Sequence, residues 1–168
     1  MVIESLEHAL NRGTNIIAEI KAYFENFEAY NLMMMEPEGK FIEELLISLL
    51  DKADLDKSEI DYINAHGTGT VANDQIESMV IKKIFGTAVS VNSTKSLTGH
   101  ILGASGAIEA VITALSVQKN TIHGSKNIFN PVNDINLIKK STHTRIRNAI
   151  TESFSFGGHN AALVLGKV

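Results

Sequence analysis

An α/β fold is what this sequence predicts, and three observations carry the prediction. Short apolar runs at residues 60–64 and 89–92 each lead through a glycine-containing turn into a long stretch of helical periodicity. Residues 16–25 alternate with period two, as a half-buried strand does. Residues 149–155 and 161–165 read as two antiparallel strands joined across Gly157-Gly158. With 168 residues, 44% of them apolar and 20% charged, the chain is long enough for one core, and residues 1–168 are read as a single domain.

Taken in order, Ile3 to Arg12 makes a short helix stopped by Gly13. The strand at 16–25 then places Ala18, Ile20, Ala22 and Phe24 on one face. Tyr30 to Gly39 fits neither period and reads as a loop, whose Met33, Met34 and Met35 either fill gaps against the body or line an apolar channel. Phe41, Ile42, Leu45, Leu46, Leu49 and Leu50 recur at helical spacing, so 39–54 is an amphipathic helix with Glu43 and Glu44 near its favourable N-terminus. After the strand at 60–64, Asn73, Asp74 and Glu77 offer a helix start before Ile76, Met79, Val80 and Ile84, and Gly86 ends that helix. The strand at 89–92 leads through a polar turn, 93–100, into a helix over about 102–118 whose small and apolar residues leave no solvent face and predict a central, buried position. Residues 120–144 read as irregular, ahead of the final hairpin.

Charge and composition narrow the function. Fifteen basic against nineteen acidic residues give a net charge of −4, with no single-sign block that would suit nucleic acid. There is no cysteine, which excludes disulfides, thiolate metal sites and a cysteine nucleophile from this chain. Glu4, Glu7, His8 and Arg12 break up the first residues and argue against a secretory signal. Ser105, Gly106, Glu109 and Thr113 interrupt the longest apolar stretch, which falls short of the roughly 20 residues of a membrane span. The expectation is a soluble, cytoplasmic protein without membrane or nucleic-acid partners.

The chemistry-bearing residues stand in glycine- and threonine-rich turns, where backbone donors approach a ligand closely. They are His66 in Asn64-Ala65-His66-Gly67-Thr68-Gly69-Thr70, Lys95 and His100 in Ser93 to His100, and His159 after Gly157-Gly158. No pair of histidines has the i, i+4 spacing of a zinc site and no acidic third ligand is near, so no metal is expected. A Ser-His-Asp hydrolase would need a Gly-x-Ser-x-Gly elbow, which is missing. A lone histidine in a turn is more often a satisfied structural residue than a catalyst. Lys95 is more telling, because it precedes a helix whose single charge is Glu109, and a buried carboxylate needs a cation. A Lys95–Glu109 ion pair is predicted on that ground.

Three ordered motifs carry a resemblance. His66 to Thr70 resembles the first histidine motif of β-ketoacyl-(acyl carrier protein) synthases of the I/II type, in the thiolase-like superfamily. Ser93-Thr94-Lys95-Ser96 with Thr98-Gly99-His100 resembles their lysine and second histidine motif, and Phe154 to Asn160 their glycine-rich closing segment. The similarity runs from about Ile3 to Lys167 and matches the C-terminal half of such a protein. It implies one half of a thiolase-like fold, a five-stranded mixed sheet with helices on its faces.

The resemblance also implies a reaction, decarboxylative condensation of malonyl-carrier protein with an acyl thioester in fatty-acid or polyketide synthesis. It assigns His66 and His100 to the oxyanion formed as CO₂ leaves, Lys95 and Glu109 to a supporting ion pair, and Thr68 and Thr70 to the phosphopantetheine arm. Phe154 and Phe156 match the aromatic pair that gates entry, Phe156 also supplying an oxyanion-hole N–H. The implied partners are an acyl carrier protein, which brings the phosphopantetheine so that no cofactor is needed, and a separate N-terminal half carrying the cysteine, or a second copy of the chain. Ser155 stands where the family has glycine and His159 where it has threonine, so His159 is a possible modifier of gating or acyl choice. Two alternatives stay open: a non-catalytic interaction protein on the same fold, and an inactive fragment. A half taken alone should expose more apolar surface than monomers tolerate, and so should associate.

Overall fold

A computed structural model describes all 168 residues. Its helices are α1 (Leu6–Asn11), α2 (Lys40–Ala53), α3 (Val71–Phe85), α4 (Lys95–Thr98) and α5 (Ser105–Lys119). Its strands are β1 (Glu19–Phe27), β2 (Tyr62–Asn64), β3 (Ser90–Asn92), β4 (Thr121–Ile122), β5 (Asn136–Leu137), β6 (Thr142–His143), β7 (Asn148–Ser155) and β8 (His159–Gly166). One mixed sheet runs in the order β1-β8-β7-β2-β3-β5, and β4 pairs with β6 as a separate ribbon. β2 is parallel to both β3 and β7, β5 is parallel to β3, and β8 is antiparallel to β7 and β1. The predicted hairpin is thus present, with Ser155 opposite His159 across the Phe156-Gly157-Gly158 turn.

The sheet separates two cores. On one face α2 and α3 deliver Leu45, Leu46, Leu49 and Ile81 onto Ile63, Val91, Ile150 and Val164, in a cluster of 20 buried residues. This is the outcome expected of the Phe41 to Leu50 spacing, which puts every third or fourth residue against the sheet. On the other face α5 covers Tyr62, Ala149 and Leu165 in a cluster of only 7. Because β2 and β3 are parallel and central, the loops after them emerge side by side at one sheet end, where open α/β sheets present ligand sites.

Four expectations are corrected. The sheet has six strands rather than five, because Asn136–Leu137 pairs with β3 inside a stretch read as irregular. A two-residue strand has no alternation to detect; it exists because the β3 edge offers free backbone groups. The turn after β3 contains the single-turn helix α4, and α5 begins at Ser105 after a 3₁₀ turn at Leu102–Ala104. Nor is α5 buried all round: Ala107 and Ile108 are exposed and Val111, Ile112 and Leu115 half-buried, since this chain places the sheet against only one side of the helix. Of the three methionines only Met35 packs against the body, while Met33 and Met34 are exposed in the loop.

Candidate active site

The site is built where β2 and β3 end. The Asn64 side chain, fully buried, donates to the Glu109 carbonyl and the Thr113 hydroxyl of α5 and accepts from the backbone and hydroxyl of Thr94. It thereby ties both strand ends to α5. The chain then leaves the sheet through Ala65 to Thr70 before α3. Glu77, one turn and a half into α3, accepts the backbone N–H of His66 at 2.6 Å, that of Gly67 at 2.9 Å and the Asn73 amide at 2.9 Å. Gly67 sits at φ +44°, and a Cβ there would come within 2.4 Å of the Ser93 side chain. Only glycine lets the two loops meet that closely, and Ser93 Oγ donates to the Gly67 carbonyl across the gap.

Lys95 is buried under this loop. Its Nζ lies 2.5 Å from Glu109 Oε1, the pair predicted from sequence, and 3.2 Å from His66 Nδ1. An ammonium has only donors, so His66 Nδ1 accepts and the neutral ring carries its proton on Nε2. Burial, with the neighbouring Lys95 and His100, pushes the His66 pKa down to about 3, so the ring stays neutral. Burial pushes the Glu109 carboxyl up, against the pull of Lys95.

His100 stands at the surface beside it, its ring centroid 5.7 Å from that of His66 and edge to face. Its Nδ1 receives the Leu102 N–H at 3.3 Å and lies 3.1 Å from Ser105 Oγ, which itself accepts the Ile101 N–H. In the neutral ring Nε2 again carries the proton. Leu102 holds a left-handed backbone at φ +53°, a strained choice for leucine that turns its N–H toward the ring. Phe154 packs against His66 at 5.2 Å between centroids, whereas Phe156 projects from the hairpin tip, 75% exposed.

The remaining predicted residues are placed as follows. Thr68 and Thr70 lie on the rim with their hydroxyls 2.9 Å apart. Thr68 also borders a cavity of about 550 Å³ closed by residues 125–133. His159 is not part of the ring cluster: its Nε2 meets Glu25 of β1 at 2.9 Å, because its side chain points along the sheet toward the neighbouring strand. Ser155 Oγ donates to the His159 carbonyl at 2.9 Å and braces the turn. Gly158, at φ +85°, packs where a Cβ would meet Glu28 Cγ at 2.8 Å. Three residues escaped the sequence reading. Asn64 was seen only as a strand end and Glu77 only as a helix start. Glu152 was passed over, although a carboxylate in the middle of an apolar strand was the available signal.

Against this geometry the relatives can be placed. The family described as β-ketoacyl synthase, C-terminal domain, matches residues 17–129. The 3-oxoacyl-[acyl-carrier-protein] synthase 2 of Coxiella burnetii is 39% identical over 174 residues, covering 100% of this chain and 42% of the relative. That of Staphylococcus aureus strain COL is 41% identical, covering 99% and 42%. Among solved structures, a type II PKS acyl-carrier protein in complex with its ketosynthase bound to the hexaketide superposes with TM-score 0.92 at 33% identity, covering 98% of this chain and 42% of that one. A β-ketoacyl synthase from Burkholderia phymatum STM815 gives TM-score 0.92 at 31% identity, covering 98% and 41%. The chain therefore spans about two fifths of the relatives it matches. It belongs to the β-ketoacyl synthase family and corresponds to the C-terminal half of a thiolase-like ketosynthase.

Proposed function

We propose that the chain contributes the decarboxylating half of a 3-oxoacyl-(acyl carrier protein) synthase site, acting on malonyl-carrier protein. The observation that carries this reading is that His66 and His100 both have Nδ1 occupied by donors, which leaves each neutral ring one N–H to give to a ligand. As CO₂ departs, the C–C bond electrons pass into the thioester and charge collects on its oxygen. Two fixed donors beside that oxygen lower the barrier. The enolate carbon then attacks the acyl thioester carbonyl, and the tetrahedral adduct expels the thiolate. Lys95 serves by holding the His66 tautomer, and Glu109 by neutralising Lys95. Thr68 and Thr70 are the candidate contacts of the phosphopantetheine arm, which arrives on the carrier protein; Phe154 and Phe156 are the candidate gate.

The nucleophilic cysteine comes from an N-terminal half, since this chain has none. Decarboxylation of malonyl-carrier protein by the chain combined with a ketosynthase N-terminal half tests the residue roles. His100→Ala is expected to lower turnover by about 10²- to 10³-fold, the usual loss of one oxyanion donor. Turnover unchanged by His100→Ala would remove the reading.

A further inference from the structure

Behind the His66 loop lies a buried carboxyl that the proposed reaction does not use. Glu152 sits in the middle of β7 and is 1% exposed, and no N–H or O–H of the protein reaches either of its oxygens. What faces it is another carboxyl, Glu77 of α3, whose negative charge raises the Glu152 pKa. Two buried carboxyls so placed cannot both be ionised, so one of them keeps a proton. Their surroundings assign it. Glu77 already accepts three donors, the His66 and Gly67 backbone N–H groups and the Asn73 amide, which is the pattern of an ionised carboxylate. Glu152 accepts none.

We propose that Glu152 is a positioning residue that stands as the neutral acid and donates its hydrogen to the Glu77 carboxylate, completing the cradle that holds the backbone of His66 and Gly67. The charges around the pair fit. Lys95 from α4 is committed to Glu109 of α5 at 2.5 Å, and its remaining contact is to the neutral His66 ring. Lys95 also attracts Glu152 at longer range, but its charge is already matched by Glu109, and no second cation stands beside the pair. Burial and the negative Glu77 both act to keep its proton on.

The proposal stands on this local geometry, independently of the reaction assigned to the site, and its test reads the folding of the chain rather than its activity. In the folded chain Glu152 keeps its proton, while in the unfolded chain it releases it near pH 4.3. The wild type is therefore penalised as pH rises, until the folded acid itself ionises. Glu152→Gln keeps the shape and a donor and removes the titration. Its folding equilibrium constant relative to wild type should grow by up to about tenfold per pH unit from pH 5 upward, read by urea unfolding at pH 5, 6, 7 and 8. A constant ratio across that range would overturn the proposal. Stabilisation of wild type by added potassium that Glu152→Gln abolishes would also overturn it, by putting an ionised Glu152 against a cation. Should Glu152→Gln fail to fold, ¹³C NMR of glutamate-labelled wild type decides: a protonated carboxyl signal persisting at pH 7 is expected, and its absence contradicts the assignment.

Discussion

The two faces of the sheet are made of the same kinds of residue and differ in completeness. On the α2/α3 side Leu45, Leu46 and Leu49 have no exposed surface and the cluster numbers 20 residues. On the α5 side the hydrophobic cluster numbers 7 residues, and the outward face of the helix leaves Ala107 and Ile108 exposed and Val111, Ile112 and Leu115 half-buried. A mostly apolar trough of about 870 Å³ runs between α5 and residues 1–20, and Tyr23 and Phe27 of β1 are exposed. One face is a finished core and the other is half of one. The candidate site lies on the seam: Glu77 reaches it from the finished side and Glu109 from the unfinished side, with Lys95 between them.

If that contrast is right, the ion pair at the seam should be the most sensitive point. Lys95→Met leaves the Glu109 carboxylate buried with no cation, which should cost about 3–5 kcal/mol in urea unfolding at pH 7. The loss should shrink in the double variant with Glu109→Gln. On the finished face Leu46→Ala should cost about 2–5 kcal/mol through the cavity it leaves. Acid stability comes next. His66 is held neutral with its pKa near 3 against 6.5 when free, so the unfolded chain takes up a proton that the folded one refuses. Stability should fall as pH drops through that window, by up to about 1.4 kcal/mol per unit, and His66→Gln should flatten the slope. On the open face Ile108→Ser should change the stability of the chain by less than about 0.5 kcal/mol, yet weaken its binding to a ketosynthase N-terminal half measured by sedimentation. Equal costs for Leu46→Ala and Ile108→Ser would erase the distinction between the faces.

Much of this was legible in the residues because it is local. The periodicity of Phe41 to Leu50 encodes α2, and glycine pairs mark the turns. A single acid in an otherwise uncharged helix was enough to pair Glu109 with Lys95 before any coordinates. What escaped depends on long-range placement. Glu77 and Glu152 lie 75 positions apart in the numbering and meet only because β7 pairs with β2 under α3. His159 was read from its place in the closing segment as a possible modifier of gating or acyl choice, and only the β1–β8 register shows that its side chain turns to Glu25. The apolar surround of α5 predicted burial on all sides, but sequence alone does not say that these residues place the sheet against only one side of the helix.

The claim at the centre of the account is that this half-core carries half of a condensing site. It is tested most directly by CO₂ release from malonyl-carrier protein, measured for the chain alone and for the chain mixed with a cysteine-bearing ketosynthase N-terminal half. Release that appears only in the mixture is the predicted result; a mixture that binds tightly yet releases no CO₂ would contradict it.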